Sequence, residues 1–461
     1  MTHPDRQGAG AARAIVRAAL SEPPPADAVL ASAKRCLLDY LSCALEARSL
    51  PWSEQAAQLA APDAQGAHQI GRAGTYVLAD AAFANAVAGH GLVREDMHAA
   101  SVAHLGVVVW PTVLALAERH AVPGARALSA AVIGYEVGAR IGRALITPSL
   151  ARLFRPTGLV GPFASAMAGA HLLGLDEDQA LNAFALAGNG CVGLNEWAHT
   201  GGSEMYFHPG FVVRNAMTCL ELARQGAHAS PSILEGQAGL FRAYARAPMP
   251  GRITLFPQGE ADILEVFNKP APACNFAQSP CQAALLAWRR VPRDRRIVAV
   301  RVETTQAALA YPGCSAKGPF EYALQAKMSI AFGVAAVLAR GGIEEDNYHR
   351  LDDVEIARLI AHTELVPDDA YTAAFPARQG ARVVLLLDDG AHARAELDDV
   401  VAADEALIRA RFRRAAQAVL GDERAGLIEA TVDDYEREPD AGLLARLCAL
   451  RPNTTPNWDE A

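Results

Sequence analysis

The residues best suited to chemistry form one polar cluster: His90, Glu95, Asp96, His98 and His104. Strongly apolar segments lie on both sides, so the cluster is expected on a loop held between buried helices. Ordered loops of this kind often carry function. Titratable groups in such a place cost free energy unless they are paired or used in a reaction. The cluster is therefore the first candidate site.

A metal site is the weaker interpretation of this cluster. Asp96, His98 and His104 are residue types that ligate metal ions. However, the two histidines lack the i, i+4 spacing that places a metal-binding pair on one face of a helix. We therefore predict no metal here.

Helices are expected to position the loop. Asp27 to Ala47 has apolar residues at three-and-four spacing, which is typical of an amphipathic helix. Asp176 and Gln179 form a capping box for a helix through Ala187. Further helices are predicted at 11–20, 71–91, 111–121, 125–145, 162–174 and 209–226. Pro111, Pro162 and Pro209 each open one of them. No strand is predicted before about residue 260.

The pattern changes near residue 260. Arg296 to Thr305 alternates with period two, as a half-buried strand does. Residues 381–397 predict two strands around Asp389-Gly390, a strong hairpin signal. Helices are predicted at 321–341 and 352–363, and again from 403 to 450. The chain is therefore predicted to be mainly α, with a helical segment 1–265, an α+β segment 266–400 and a helical segment 401–461.

Composition argues against several classes of protein. The 461 residues carry a net charge of −9, and no basic stripe suggests nucleic-acid binding. The longest apolar run, Leu105 to Ala117, contains Pro111 and is too short to cross a bilayer. No signal peptide is recognised, and the eight cysteines lack a C-x-x-C pair, which predicts reduced thiols. We expect a cytoplasmic protein without nucleic-acid or membrane partners.

Several motifs in series carry a resemblance to a known family. Ala84-Asn-Ala-Val-Ala-Gly-His90 is followed by an acidic pair, a histidine and His104-Leu-Gly. Later motifs are Pro156-Thr-Gly, His208-Pro-Gly and Lys269-Pro-Ala-Pro-Ala-Cys. In this order they resemble the MmgE/PrpD family, which includes 2-methylcitrate dehydratase, cis-aconitate decarboxylase and iminodisuccinate epimerase.

The resemblance implies a large all-helical domain built from both chain ends, a smaller inserted α+β lid, and a homodimer. It also implies chemistry next to a carbonyl-type carbon of a di- or tricarboxylic acid, without metal or organic cofactor. Such a reaction needs a positioned base and donors where negative charge develops. We predict a cofactor-independent lyase of dehydratase or decarboxylase type. An epimerase and a catalytically silent binding protein are the alternatives.

The resemblance also suggests site residues. His104, Asp96 and Lys269 are the predicted catalytic residues. Substrate contacts are predicted for Arg155, Thr157, Gly158, His208, Gln278, His98 and Tyr206. Structural roles are the alternatives: helix capping for His104 and His208, loop fixation for Asp96, and an ordinary turn at Thr157-Gly158.

Four positions depart from the family pattern. Val93 stands in place of an acid, Arg155 and Gln278 in place of histidines, and Met205 in place of a lysine. Arginine cannot serve as a base at ordinary pH because its pKa exceeds about 12, but it can hold a carboxylate bidentately. We therefore hypothesise an altered substrate or reaction. Convergence of His104, Arg155 and Lys269 on one closed pocket would favour an enzyme over a silent protein.

Overall fold

The computed structural model describes residues 10–451 and is mainly α-helical, as predicted. The helices are α1 (Ala11–Ser21), α2 (Asp27–Ala47), α3 (Pro51–Gln58), α4 (Leu78–His90), α5 (Gly106–His120), α6 (Gly124–Leu145), α7 (Pro148–Leu153), α8 (Pro156–Leu173), α9 (Glu177–Ala187), α10 (Trp197–Thr200), α11 (Glu204–Arg224), α12 (Gln278–Trp288), α13 (Gln306–Ala310), α14 (Ala323–Met328), α15 (Ile330–Arg340), α16 (Val354–Ala361), α17 (Asp369–Ala374), α18 (Glu405–Leu420), α19 (Asp422–Asp433) and α20 (Gly442–Leu447). The strands are β1 (Pro62–His68), β2 (Thr75–Tyr76), β3 (Met97–His98), β4 (Val266–Phe267), β5 (Ile297–Thr304), β6 (Thr363–Pro367), β7 (Ala381–Leu387) and β8 (His392–Leu397).

Small residues let the central helices approach closely. A Cβ added to Gly138 of α6 would lie 2.9 Å from the Cβ of Ala164 on α8. Gly134, one turn earlier, faces Ala168 in the same way, at 3.0 Å. The helix backbones therefore pack closely, and few large side chains are needed to fill this core. This agrees with an aromatic content of only 6%.

The predicted starts of three helices are wrong. Pro111, Pro162 and Pro209 lie inside α5, α8 and α11 rather than at their first turns. Proline leaves the carbonyl four residues earlier without its helical partner. For Pro162 that carbonyl belongs to Gly158, and it accepts a hydrogen bond from the Val192 amide instead (3.1 Å).

The expectation of no strand before residue 260 is also wrong. β1 and β2 form a small antiparallel pair, and α4 begins at Leu78 instead of residue 71. β1 is polar and does not alternate, so its sequence has no strand signature. β3 pairs with β4, which ties the loop before α5 to the start of the α+β segment.

The predicted strand and hairpin are confirmed. One sheet has the order β6-β5-β7-β8, with β5 parallel to β6 and antiparallel to β7. β7 and β8 form the hairpin around Asp389-Gly390, where Gly390 has φ +83°. The helix predicted at 321–341 is divided at Ser329, whose hydroxyl accepts from the Phe332 amide and begins α15. The helix predicted at 352–363 ends at Ala361, and β6 follows.

Two large hydrophobic cores and two small clusters lie within residues 10–451. One of the large cores combines residues from 12–266 with residues from 403–448, so both ends of the described chain share it. The other consists mostly of residues 271–395 and includes Met205 and Tyr206 of α11. The exact boundaries at 265/266 and 400/401 stay a prediction, and residues 1–9 and 452–461 lie outside the described part. Among the described helices, none has the length and apolarity that crossing a bilayer requires.

Candidate active site

His104 lies on the loop between α4 and α5, and its neighbours fix its protonation. Its amide donates to the Thr157 hydroxyl (3.0 Å). The imidazole Nδ1 lies 2.9 Å from Glu95 Oε1 and 3.0 Å from the carbonyl oxygen of Asp96. Both oxygens only accept hydrogen bonds, so Nδ1 carries the proton. The lone pair is therefore on Nε2.

His90 is oriented by the same carboxylate. Arg155 Nη2 donates to His90 Nε2 (2.8 Å), because a guanidinium can only donate. His90 must then carry its proton on Nδ1, which donates to Glu95 Oε1 (2.5 Å). One carboxylate thus accepts from two imidazoles, and these contacts connect Arg155 with His104.

Burial determines the charges of this network. It lowers the pKa of His104 to about 3 and also lowers that of His90. Burial alone would raise the pKa of Glu95, but the two imidazoles reverse the effect and hold it well below its usual range. At neutral pH the site therefore contains an ionised Glu95 between two neutral histidines.

Two buried cations complete the site. Burial lowers the pKa of Lys269 to about 8, and Nζ donates to the Val93 carbonyl. Arg155 is equally enclosed, with its guanidinium 5.4 Å from the Trp197 ring centre. Within residues 10–451 neither side chain forms an ion pair with a carboxylate. Both are therefore available to an anionic ligand.

His104, Arg155 and Lys269 line one cavity. Its volume is about 30 Å³, which is small for a bound polycarboxylic acid. The remaining wall is largely apolar and includes Met97, Met205, Phe276, Tyr311 and Met328. These three side chains thus converge on one cavity, which is the arrangement expected of an enzyme and not of a silent protein. A polycarboxylic acid fits only after this wall moves.

The three residues of the weaker metal interpretation, Asp96, His98 and His104, do not converge. His98 Nε2 lies 3.8 Å from Asp262, away from His104. His90, Glu95 and His104 do offer ligand atoms within 4.8 Å of one another. The contacts of 2.5 and 2.9 Å to Glu95 are hydrogen-bond distances, whereas ligand atoms around a tetrahedral metal lie about 3.3 Å apart. The geometry therefore favours a hydrogen-bonded network.

Asp96 supports the loop instead of lining the cavity. Its carboxyl accepts from the Tyr135 hydroxyl and from the Gly106 amide (3.1 Å), which begins α5. Burial raises its pKa to about 7. Because its backbone carbonyl also holds His104, the contacts of Asp96 are those of the loop-fixing alternative.

Thr157 and Gly158 contact protein groups in this conformation. The Thr157 hydroxyl holds the His104 amide, and the Gly158 amide donates to the Arg155 carbonyl (3.0 Å). A Cβ on Gly158 would lie only 1.9 Å from the Val192 carbonyl oxygen. The glycine is therefore needed for close packing, and its amide is not free for the predicted substrate contact in this conformation.

Two further predicted contact residues are engaged elsewhere. Gln278 makes four hydrogen bonds to the backbone of Ala271, Ala273 and Cys274. Its amide therefore shapes the segment after Lys269 and does not reach the cavity. His98 Nδ1 hydrogen-bonds the Ser101 hydroxyl (2.8 Å).

The last two predicted residues lie behind the cavity wall. Tyr206 stacks on Trp52, with ring centres 3.8 Å apart. His208 is buried, and both burial and nearby Arg155 lower its pKa, to about 3. Neither side chain lines the cavity, so a direct substrate contact stays a prediction.

The sequence reasoning missed the roles of His90 and Glu95, although both belong to the initial polar cluster. The available signal was the cost of burying a carboxylate unless a donor lies nearby. Two of the positions that depart from the family pattern, Met205 and Val93, also contact residues of the site. Met205 Sδ lies 2.9 Å from His90 Nε2, and Val93, at φ +58°, holds Lys269 through its carbonyl.

Comparisons with known proteins agree with this architecture. The MmgE/PrpD N-terminal domain matches residues 11–252, and the MmgE/PrpD C-terminal domain matches residues 271–436. A cis-aconitate decarboxylase-like protein of Aspergillus oryzae is 27% identical over 92% of this chain and 93% of its own length. The cis-aconitate decarboxylase of Aspergillus terreus is 26% identical over 92% of each chain. With both domains matched over most of its length, the chain belongs to the MmgE/PrpD family.

Proposed function

We propose that the protein is a cofactor-independent lyase, of dehydratase or decarboxylase type, acting on a small di- or tricarboxylic acid. One observation carries the proposal: His104 presents an unprotonated Nε2 to a cavity that Arg155 and Lys269 also line. A neutral imidazole is in the protonation state that a general base requires. The names of the relatives support the decarboxylase type.

The charges favour a substrate with at least two carboxylates. Arg155 and Lys269 lie in a buried cavity, where a cation attracts an anion far more strongly than in water. Arg155 can hold one carboxylate bidentately, and Lys269 offers a compact charge to another. Closure of the α+β segment as a lid would exclude water from the reaction.

Proton transfer can then follow one of two routes. In a dehydration, His104 Nε2 takes the proton from the carbon next to a carboxylate, the C–O bond breaks, and Lys269 protonates the departing hydroxyl. In a decarboxylation, the C–C bond breaks, carbon dioxide leaves, and Lys269 protonates the carbon that retains the electron pair. Because the pKa of Lys269 is about 8, its ammonium form is available at neutral pH.

Epimerisation is the second candidate. It requires one group that removes a proton and another that returns one, and His104 and Lys269 lie on the same cavity. A silent binding protein is less favoured, because it has no need for an imidazole with a fixed tautomer. The replacements at Arg155, Met205 and Gln278 lead us to expect slow or absent turnover of 2-methylcitrate and cis-aconitate.

Hydrogen exchange followed by NMR in deuterated buffer tests the proposal. The protein is incubated with a panel of di- and tricarboxylates, beside His104→Ala and a matched control, His120→Ala, at the exposed end of α5. We expect exchange or product formation that His104→Ala loses and His120→Ala retains. Carbon dioxide, an unsaturated acid or an inverted centre identifies the reaction. If no acid reacts, the lyase proposal fails, and ordinary turnover of cis-aconitate refutes the altered substrate.

We also propose that the protein is a cytoplasmic homodimer. The family resemblance supports the dimer, and eight buried, unpaired cysteines suit a reducing compartment. Light scattering should give twice the chain mass of 48.7 kDa. A monomer at micromolar concentration would contradict the assembly.

A further inference from the structure

We propose that Cys274 and Cys314 are a modification site, at which hydrogen peroxide forms a disulfide in the wall of the cavity. Their sulfur atoms lie 3.6 Å apart and both residues are buried. Cys274 itself lines the cavity beside Lys269 and Arg155. The inference depends on this geometry and not on the proposed reaction.

The backbone keeps the two sulfurs together. The Cys274 amide donates to the Lys327 carbonyl (2.9 Å), and the Cys314 carbonyl accepts from the Ile330 amide (3.0 Å). Both cysteines are thus attached to the segment that contains α14 and α15. A disulfide bond is about 2.0 Å long, so the sulfurs need to approach by only about 1.6 Å.

The surroundings identify Cys274 as the reactive thiol. The hydrogen bond from Cys314 lowers its pKa, Lys269 and Arg155 lower it further, and burial opposes them. Burial raises the pKa of the other seven cysteines, all within the described residues. Thiolates are the reactive form, so oxidation should begin at Cys274.

The reaction balances with peroxide as the oxidant. The Cys274 thiolate attacks one peroxide oxygen; the S–O bond forms, the O–O bond breaks, and hydroxide leaves. Cys314 then attacks the sulfur of this sulfenic acid; the S–S bond forms and the S–O bond breaks. The hydroxide from the S–O bond takes the Cys314 proton and leaves as water. The hydroxide from the O–O bond combines with the proton that the Cys274 thiol gave up and leaves as a second water. Two thiols are oxidised, and one peroxide is reduced.

The cavity limits which oxidants reach Cys274. Its volume of about 30 Å³ favours a small oxidant such as hydrogen peroxide over bulky thiol reagents. Cys219 offers a matched control: it is buried, but its sulfur contacts Asn215 Oδ1 (3.8 Å) instead of a second sulfur. Local sulfur pairing, and not burial alone, should decide which thiols are lost.

Peroxide treatment of the full chain tests the inference. After denaturation and alkylation, the number of reactive thiols should fall by two from eight. Digestion should release a Cys274–Cys314 cross-linked peptide, and dithiothreitol should restore both thiols. In Cys314→Ser the sulfenic acid at Cys274 should remain and react with dimedone once denaturant exposes it, whereas Cys219→Ser should keep the cross-link.

Three results would overturn the inference. The first is that all eight thiols of the treated wild-type protein remain alkylatable. The second is cross-linking of Cys274 to other cysteines as often as to Cys314. The third is dimedone labelling of Cys314 in Cys274→Ser that equals the labelling of Cys274 in Cys314→Ser. The wild-type cross-link decides the question even if a serine variant fails to fold.

Discussion

Glu95 determines how both histidines of the site use their protons. With two N–H donors directed at one carboxylate oxygen, His90 can accept from Arg155 while His104 offers Nε2 to the cavity. The Glu95 carboxylate can therefore affect the reaction rate without touching the substrate. Orienting an imidazole and fixing its tautomer is a positioning role with a large effect on rate.

Glu95→Gln tests this positioning role. A glutamine carbonyl oxygen can still accept from both imidazoles, because both contact Oε1, but the amide is neutral. The negative charge that stabilises the imidazolium of His104 after it takes a proton is then lost. We expect kcat to fall by about 10²–10⁴-fold with the fold retained.

The readouts are turnover of the substrate found by exchange and nitrogen-15 NMR of the imidazoles. Glu118→Gln is the matched control, because Glu118 contacts His68 on β1, away from the cavity. An unchanged kcat in Glu95→Gln, with both tautomers preserved, would refute the role of Glu95.

Lys269 should set the alkaline limit of activity. A lysine is charged below its pKa, and burial lowers that of Lys269 to about 8. We therefore expect kcat/KM to fall as the pH rises through about 8. His104 stays unprotonated down to about pH 3, so it should cause no change in kcat/KM near neutral pH. In Lys269→Arg the guanidinium keeps its charge but cannot give up a proton at ordinary pH, so turnover should drop and the activity that remains should lose the alkaline fall. If kcat/KM of Lys269→Arg still falls above about pH 8, a group other than Lys269 causes the fall.

The sequence predicted the residues of the site better than their arrangement. His104, Arg155 and Lys269 were recognised because each stands in a motif. The network of His90 with Glu95 and Arg155 joins residues up to 65 positions apart. Hydrogen-bond partners over that separation depend on helix packing, which no local pattern records. The same limit applies to His98, whose loop turns it toward Asp262.

At the scale of elements, the start of α8 links the fold to the site. Pro162 leaves the Gly158 carbonyl free, the Val192 amide uses it, and the absent Cβ of Gly158 permits this approach. The same turn carries Arg155 and Thr157, which contact His90 and His104. Periodicity predicted that a helix lies here, but not that its proline is internal. The internal position of Pro162 depends on the Val192 amide, which lies more than thirty residues after Gly158 in the sequence.

Gly158→Ala should disrupt this turn. The new Cβ would lie 1.9 Å from the Val192 carbonyl oxygen, so the backbone must move. Overpacking of this kind costs about 1–3 kcal/mol, and we expect a lower Tm and weaker turnover. Gly426→Ala is the matched control, because an added Cβ within exposed α19 meets no atom within 4 Å. It should stabilise by about 0.5–1 kcal/mol. Equal Tm values for the two variants would contradict the steric argument.

At the scale of the whole molecule, residues 268–274 join the two cores and carry Lys269 into the cavity. On the helical side, Asn268 donates to Asp39 (2.9 Å), and Arg411 of α18 donates to the carbonyls of Lys269 and Pro270 (3.0 and 2.5 Å). On the other side, Gln278 holds the end of the segment. The segment is thus fixed at both ends, and this explains how a glutamine in place of a histidine supports the site without reaching it.

Arg411→Met should loosen this connection without substituting any residue that lines the cavity. Two buried carbonyls would lose their donors, at a cost of about 1–3 kcal/mol each. We therefore expect faster amide hydrogen exchange in peptides covering 268–274, together with weaker substrate binding through displacement of Lys269. Arg413→Met is the control, because Arg413 lies on the same helix but pairs with Glu429 of α19. It should speed exchange in α19 alone. If both variants exchange alike over 268–274, Arg411 does not hold the segment, and the position of Lys269 must depend on Val93 and Gln278 instead.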